Sequence, residues 1–162
     1  PRLAQEHLAR HGILLIIEKH FRRTFLDGAA MLDGAGRPVV ALTLRHDRID
    51  NFWFALMHEL AHVALHLTPE ASFFSDDLDR SNFQTVEEEA DAMAQVALIP
   101  PESWDAARVR QTLASEDAVA LAEEIGVHPA IVAGRLRHET KDFRLLNHII
   151  GKTGQVGVTF AQ

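Results

Sequence analysis

The sequence predicts an α+β fold: a small sheet packed on helices, with a helix-turn-helix-like helical lobe beside it. Three observations lead there. Short apolar or β-branched runs separated by Asp-Gly pairs fill residues 1–45, longer helical patterns follow, and Gly126 divides two helical stretches within 119–138. A chain of 162 residues is long enough to bury a real hydrophobic core. The expected division is a mixed α/β unit over 1–110, the helical lobe over 111–150, and a tail over 151–162.

Residues 2–10 read as an amphipathic helix ended by Gly12. Ile13 to Ile17 is a continuous, β-branched apolar run, the pattern of a buried strand. Asp27-Gly28 and Asp33-Gly34 read as turns bracketing a short strand at 29–32, and Asp33 to Gly36 suggests a hairpin into a strand over Pro38–Leu44. Asp50 or Asn51 can cap a helix from about Phe52 to about Leu67, with Pro69 beyond it. Residues 68–85 are polar and turn-like, so a surface loop is expected. Thr85 with Glu88 resembles a capping box for a second helix ending at Pro100-Pro101. Shorter helices follow at 116–125 and 129–138. The Gly-rich, β-leaning tail is expected to be a final strand or loosely held. Pro1 reads as the cut end of a longer protein.

Composition narrows the chemistry. With no cysteine, neither disulfides nor a thiolate metal site can form, and any metal must be held by histidine and carboxylate. Cysteine-free composition suits a reducing cytoplasm. A formal charge of −7 argues against a broad nucleic-acid surface. No apolar run approaches the roughly 20 residues that span a bilayer, so no membrane partner is expected.

Residues 58–62 read His-Glu-Leu-Ala-His within the apolar helix. Histidines four apart project from one face, about 6 Å apart along the axis, so His58 and His62 can share one Zn²⁺. Glu59 follows the first histidine directly, and its carboxylate leans beside the metal rather than onto it, where it can act as general base toward water. A five-residue pattern arises by chance in some helices. Here, however, it interrupts a strongly apolar stretch, Phe52 to Leu65, where buried polar groups are costly unless something satisfies them. His66 continues the spacing, but its Cα would stand about 12 Å along the axis from that of His58. It is therefore expected beside a ligand or at the helix terminus, not on the ion. Leu65 and Thr68 occupy the places where an extended three-histidine pattern carries Gly and His.

A third ligand should come from another helix, leaving one position open for water. Glu87 is the preferred candidate, with Asp91 one turn on to accept a hydrogen bond from a ligand histidine. Glu89, about 200° round the helix from Glu87, is the alternative ligand.

These residues resemble the ImmA/IrrE family of metallopeptidases. The resemblance rests on His58-Glu59-Leu60-Ala61-His62, on Glu87-x-Glu89-Ala90-Asp91, and on Ala97-Leu98-Ile99-Pro100, which is similar to the family's usual Leu-Leu-Met-Pro. Leu42 to Arg45 and Asn51 to Phe54 resemble a subgroup often fused behind an XRE-type DNA-binding domain. The similarity covers most of residues 10–140. It implies a cytoplasmic, zincin-like gluzincin that cleaves a partner regulator, either an XRE-type repressor or an antitoxin-like protein.

The paired helices of 119–138 have Ala122 for close packing, Gly126 for the turn and Val132 for burial. DNA binding would put the second helix in a major groove, with Arg135 and Arg137 on phosphate, but Glu123 and Glu124 oppose them. Packing or substrate docking suits this pair better. The rival reading is a non-catalytic regulatory protein, DNA-binding or antitoxin-like, with a structural metal. Retention of Glu59 favours catalysis. Related enzymes stabilise the oxyanion with Tyr or His; this chain has no Tyr, so His128, Arg45, His138 and Arg135 are the candidates for that or for substrate contact.

Overall fold

The computed structural model describes residues 1–20, 23–75 and 84–160. Its first part runs α1 (Arg2–Arg10), β1 (Leu14–Glu18), β2 (Gly28–Leu32) and β3 (Pro38–Thr43). Helix α2 (Ile49–Leu65), strand β4 (Phe73–Ser75) and helix α3 (Gln84–Leu98) follow. Six helices complete the described residues: α4 (Pro101–Asp105), α5 (Val109–Thr112), α6 (Ser115–Ile125), α7 (Pro129–Thr140), α8 (Asn147–Ile150) and α9 (Gly157–Phe160). The fold is mixed α+β, as the sequence predicts.

The sheet has the order β1-β3-β2-β4. Strand β1 runs parallel to β3, while β2 is antiparallel to both β3 and β4. The expected β2–β3 hairpin forms. Asp33 Oδ1 accepts from the backbone N–H of Ala35 at 2.8 Å and of Arg37 at 2.9 Å, closing the turn with a local side-chain acceptor.

Helix α2 packs between two apolar clusters. One gathers Leu8, Leu15, Val40, Leu42, Phe52 and Leu56 from the sheet, α1 and α2, joined by Val156. The other gathers Ile99, Trp104, Ala122, Val132, Leu136 and Ile150 from the later helices. Ile49 and Trp53 of α2 pack against both. The helical pair of 119–138 is present as α6 and α7. Gly126 sits at φ 72° between them, and Val127 N–H donates back to the Ala122 carbonyl.

Several expectations are corrected. Helix α2 begins at Ile49 with Arg48 at its N-cap, not at an Asp50 or Asn51 cap. The Arg48 guanidinium takes both of those side chains, donating to Asp50 Oδ1 and Oδ2 at 3.1 Å and to Asn51 Oδ1 at 2.6 Å. Thr85 lies inside α3, and Glu88 accepts from Gln84 Nε2 rather than closing a capping box. The segment expected to be a surface loop contains β4, because Phe74 buries and its backbone pairs opposite Ala30; residues 76–83 of that segment lie outside the described ones. The tail is neither a strand nor loose. Asp47 Oδ1 accepts from Val156 N–H at 2.9 Å and Gly157 N–H at 2.7 Å, holding buried Val156 on the sheet-side core before α9 begins. The helices α4, α5 and α8 lie outside the sequence expectation. Pro100-Pro101 ends α3 and also starts α4, since proline at the first helical position gives up no needed N–H.

Among the described residues no helix is long and apolar enough to cross a membrane.

Candidate metal centre

The apolar character of α2 draws its polar face inward with the rest: His58, Glu59 and His62 are buried. Helix α3 lies across α2 and brings a carboxylate to the same place. Nε2 of His58 and Nε2 of His62 stand 3.0 Å apart. Glu87 sends Oε2 to within 3.4 Å of the first and Oε1 to within 3.5 Å of the second.

These spacings suit a small tetrahedral cation. Donors at the usual zinc distances of about 2.0–2.1 Å stand roughly 3.3 Å from one another around a tetrahedral ion. The proton positions agree. His58 Nδ1 contacts Asp91 Oδ1 at 2.9 Å, so that nitrogen carries the proton and Nε2 presents a lone pair. Burial, followed by the neighbouring His58 and His66, pushes the His62 pKa down to about 4, which keeps that ring neutral at neutral pH. Two imidazole lone pairs and a carboxylate thus converge, an arrangement of acceptors that a cation satisfies. Among the described residues, His58, His62 and Glu87 form the group that could hold a metal.

The other acidic candidate goes elsewhere. Glu89 Oε2 contacts His66 Nε2 at 3.1 Å, and His66 Nδ1 contacts His62 Nδ1 at 2.9 Å. His66 is at the C-cap of α2 and against His62. Phe74 of β4 stacks on the His62 ring, with centroids 5.0 Å apart and planes 14° from parallel.

Glu59 is enclosed between α2 and the sheet. A Cβ added to Gly28, the first residue of β2, would lie 2.3 Å from Glu59 Oε1 and 2.8 Å from its Cδ. The carboxylate thus occupies the space that any side chain at position 28 would need. Neither Gly28 nor Phe74 was singled out from sequence. Asp27-Gly28 looks like any turn, and Phe74 sat in a polar stretch; Phe73-Phe74, the lone apolar pair there, was the available signal.

The remaining candidates are not in the group of converging donors. The Arg45 guanidinium donates to Phe25 O and Asp27 Oδ2, both at 3.1 Å. His128 caps α7, its Nδ1 accepting from Ala130 N–H at 3.1 Å. His138 is exposed on α7. Arg135 lies over the Trp104 ring at 4.5 Å and donates to the Ile99 carbonyl at 3.1 Å. Arg137 is buried and donates to Leu145 O and Asn147 Oδ1. Both guanidiniums offered above for phosphate are thus engaged within the protein.

A helix carrying His-Glu-x-x-His, crossed by a second helix that adds a glutamate, belongs to the metal-dependent peptidase class. The family comparison agrees. The model of the Peptidase_M78 family, described as the IrrE N-terminal-like domain, matches residues 9–137, and the chain belongs to this metallopeptidase family. No curated protein matches the chain.

Proposed function

We propose that the chain is a zinc metalloendopeptidase of the gluzincin type, acting in the cytoplasm on a partner transcriptional regulator or antitoxin-like protein. The observation that carries this reading is the convergence of His58, His62 and Glu87, with Glu59 buried next to His58 in the chain. A bound zinc ion supplies Lewis acidity to the scissile carbonyl and to water. His58, His62 and Glu87 are the residues that would hold it, and Asp91 would fix the His58 ring through Nδ1. Glu59 is the general base: it takes the proton of the attacking water and returns it to the leaving amine. Burial against Gly28 limits the positions open to its carboxylate, so its reach is set by the backbone. The partner class rests on the family resemblance, and the cytoplasmic setting on cysteine-free composition.

The test pairs metal analysis with cleavage of regulators encoded beside the gene, for wild type and Glu59→Gln. One zinc is expected in both proteins, with cleavage by the variant lower by about 10²–10⁴-fold. Undiminished cleavage by Glu59→Gln would remove the general-base assignment. Wild type prepared without chelator and found metal-free would remove the zinc reading.

A further inference from the structure

The two histidines of the centre are oriented by unlike devices. His58 rests on a carboxylate directly, Asp91 Oδ1 at 2.9 Å from its Nδ1. The Nδ1 of His62 meets another imidazole instead, His66 Nδ1 at 2.9 Å, and His66 Nε2 in turn meets Glu89 Oε2 at 3.1 Å.

Proton accounting selects one arrangement of this chain of contacts. The Nδ1–Nδ1 contact needs one proton between its two nitrogens, and the carboxylate of Glu89 can only accept while ionised. If a neutral His66 held its proton on Nδ1, its Nε2 would have none to give to Glu89. The proton of His66 therefore belongs on Nε2 and that of His62 on Nδ1. His62 then donates to His66, His66 donates to Glu89, and the Nε2 lone pair of His62 turns toward His58 and Glu87. This is the tautomer a metal-binding imidazole requires. Phe74, stacked on the His62 ring, fixes the ring plane, while the contact with His66 fixes rotation within it.

We propose that His66 and Glu89 form a positioning relay for His62, in which Glu89 sets the tautomer of His66 and His66 sets the tautomer and direction of His62. The inference rests on the metal reading above. It assigns Glu89 a place outside the ligand set and makes the C-cap histidine of α2 part of the site without contact to the ion.

The experiment measures zinc affinity by chelator competition and the visible spectrum of the cobalt(II)-substituted full chain. The variants are His66→Ala, His66→Gln, Glu89→Ala, Glu89→Gln and Glu87→Ala. His66→Ala is expected to weaken zinc binding by about 10–100-fold and to shift the cobalt bands, because the His62 ring loses its fixed direction. His66→Gln should recover part of the affinity, since its amide oxygen can accept from His62 Nδ1. Glu89→Ala should weaken binding less than His66→Ala, and Glu89→Gln, which keeps an acceptor, should stay near wild type. Glu87→Ala should be the weakest binder of the set. Melting of the metal-free proteins separates a local loss from misfolding, and His66→Gln serves as the second variant if His66→Ala melts early. His66→Ala with wild-type affinity and an unchanged cobalt spectrum would overturn the relay alone. So would Glu89→Ala losing as much affinity as Glu87→Ala, because Glu89 would then be a ligand. Wild type that takes up no zinc overturns the metal reading and the relay together.

Discussion

Position 28 lacks a side chain, and Glu59 uses the room. With 2.3 Å between a notional Cβ and Glu59 Oε1, alanine at 28 must push the carboxylate aside or part the strand from α2. Gly28→Ala is therefore expected to lower cleavage on the order of 10²-fold while leaving zinc content unchanged, since misplacing a reacting group by about 1 Å has that scale of effect. Unchanged turnover in the cleavage assay would show that Glu59 has no need of the space. At this scale the sequence was informative wherever chemistry forces spacing. His58, Glu59 and His62 lie in one helical turn and Asp91 lies one turn from Glu87, so helix geometry alone brought their placement within reach. The Gly28–Glu59 contact had no such trace, because it joins residues from different elements and its sole local mark is a common turn dipeptide. The separate destination of Glu89 was equally hidden. Helical angle tells that Glu87 and Glu89 diverge, but which of them faces α2 depends on how α3 is rotated when it packs.

Between elements, a second close approach that a missing side chain permits is where α2 meets α7. A Cβ at Gly134 would stand 2.9 Å from Asp50 Cβ, on the side chain that Arg48 grips at the entrance to α2. Gly134→Ala should cost about 1–3 kcal/mol through overpacking, read as a melting point lower by roughly 2–12 °C. An unchanged melting point would mean that the crossing can relax without cost. The β2–β3 turn offers a pH test. Backbone N–H groups of Arg37 and Ala35, and the Arg37 side chain, hold the Asp33 carboxyl below its ordinary 3.8. A lowered carboxyl pKa means that its contribution to the hairpin is present above the unfolded value and is lost as pH falls through the folded one. A carbon-detected NMR titration should place the Asp33 midpoint below 3.8, with amide exchange at Ala35 and Arg37 rising below it; a midpoint at or above 3.8 would contradict this. Elements with a complete local signal, such as β1, the hairpin and the α6–α7 pair, were readable from periodicity and turn residues. β4 was not, because three residues carry no period and their strand form comes from the β2 edge they join. The start of α2 was misplaced for a related reason: two good capping residues stood in line, and Arg48 claimed both.

Across the whole molecule, α2 is the member shared by both apolar clusters, and the loop before it is tied to a distant part of the chain. Asp47, at φ 42°, accepts at its carbonyl from Gly154 N–H at 3.0 Å and Gln155 N–H at 3.2 Å, while its Oδ1 takes the N–H groups of Val156 and Gly157. Asp47→Ala should lower stability by about 1–3 kcal/mol, since it strips a charged acceptor from two backbone donors. Denaturant unfolding that leaves the midpoint unmoved would show that the tail is held without the Asp47 side chain. The sequence did not reveal this tie; glycine-rich composition described the tail's freedom and said nothing of what restrains it. The tie also has a consequence for biosynthesis. Asp47 and Val156 are 109 positions apart. At roughly 5–20 residues per second of translation, the ribosome needs on the order of 5–20 s after making the root of α2 to deliver the strand of chain that fastens it. During that interval the histidine helix exists without the tie to the tail, and for most of it without the later helices of the second cluster. A nascent chain halted before Val156 should therefore be open to proteases at the β3–α2 junction, and become resistant there only once that distant residue has emerged.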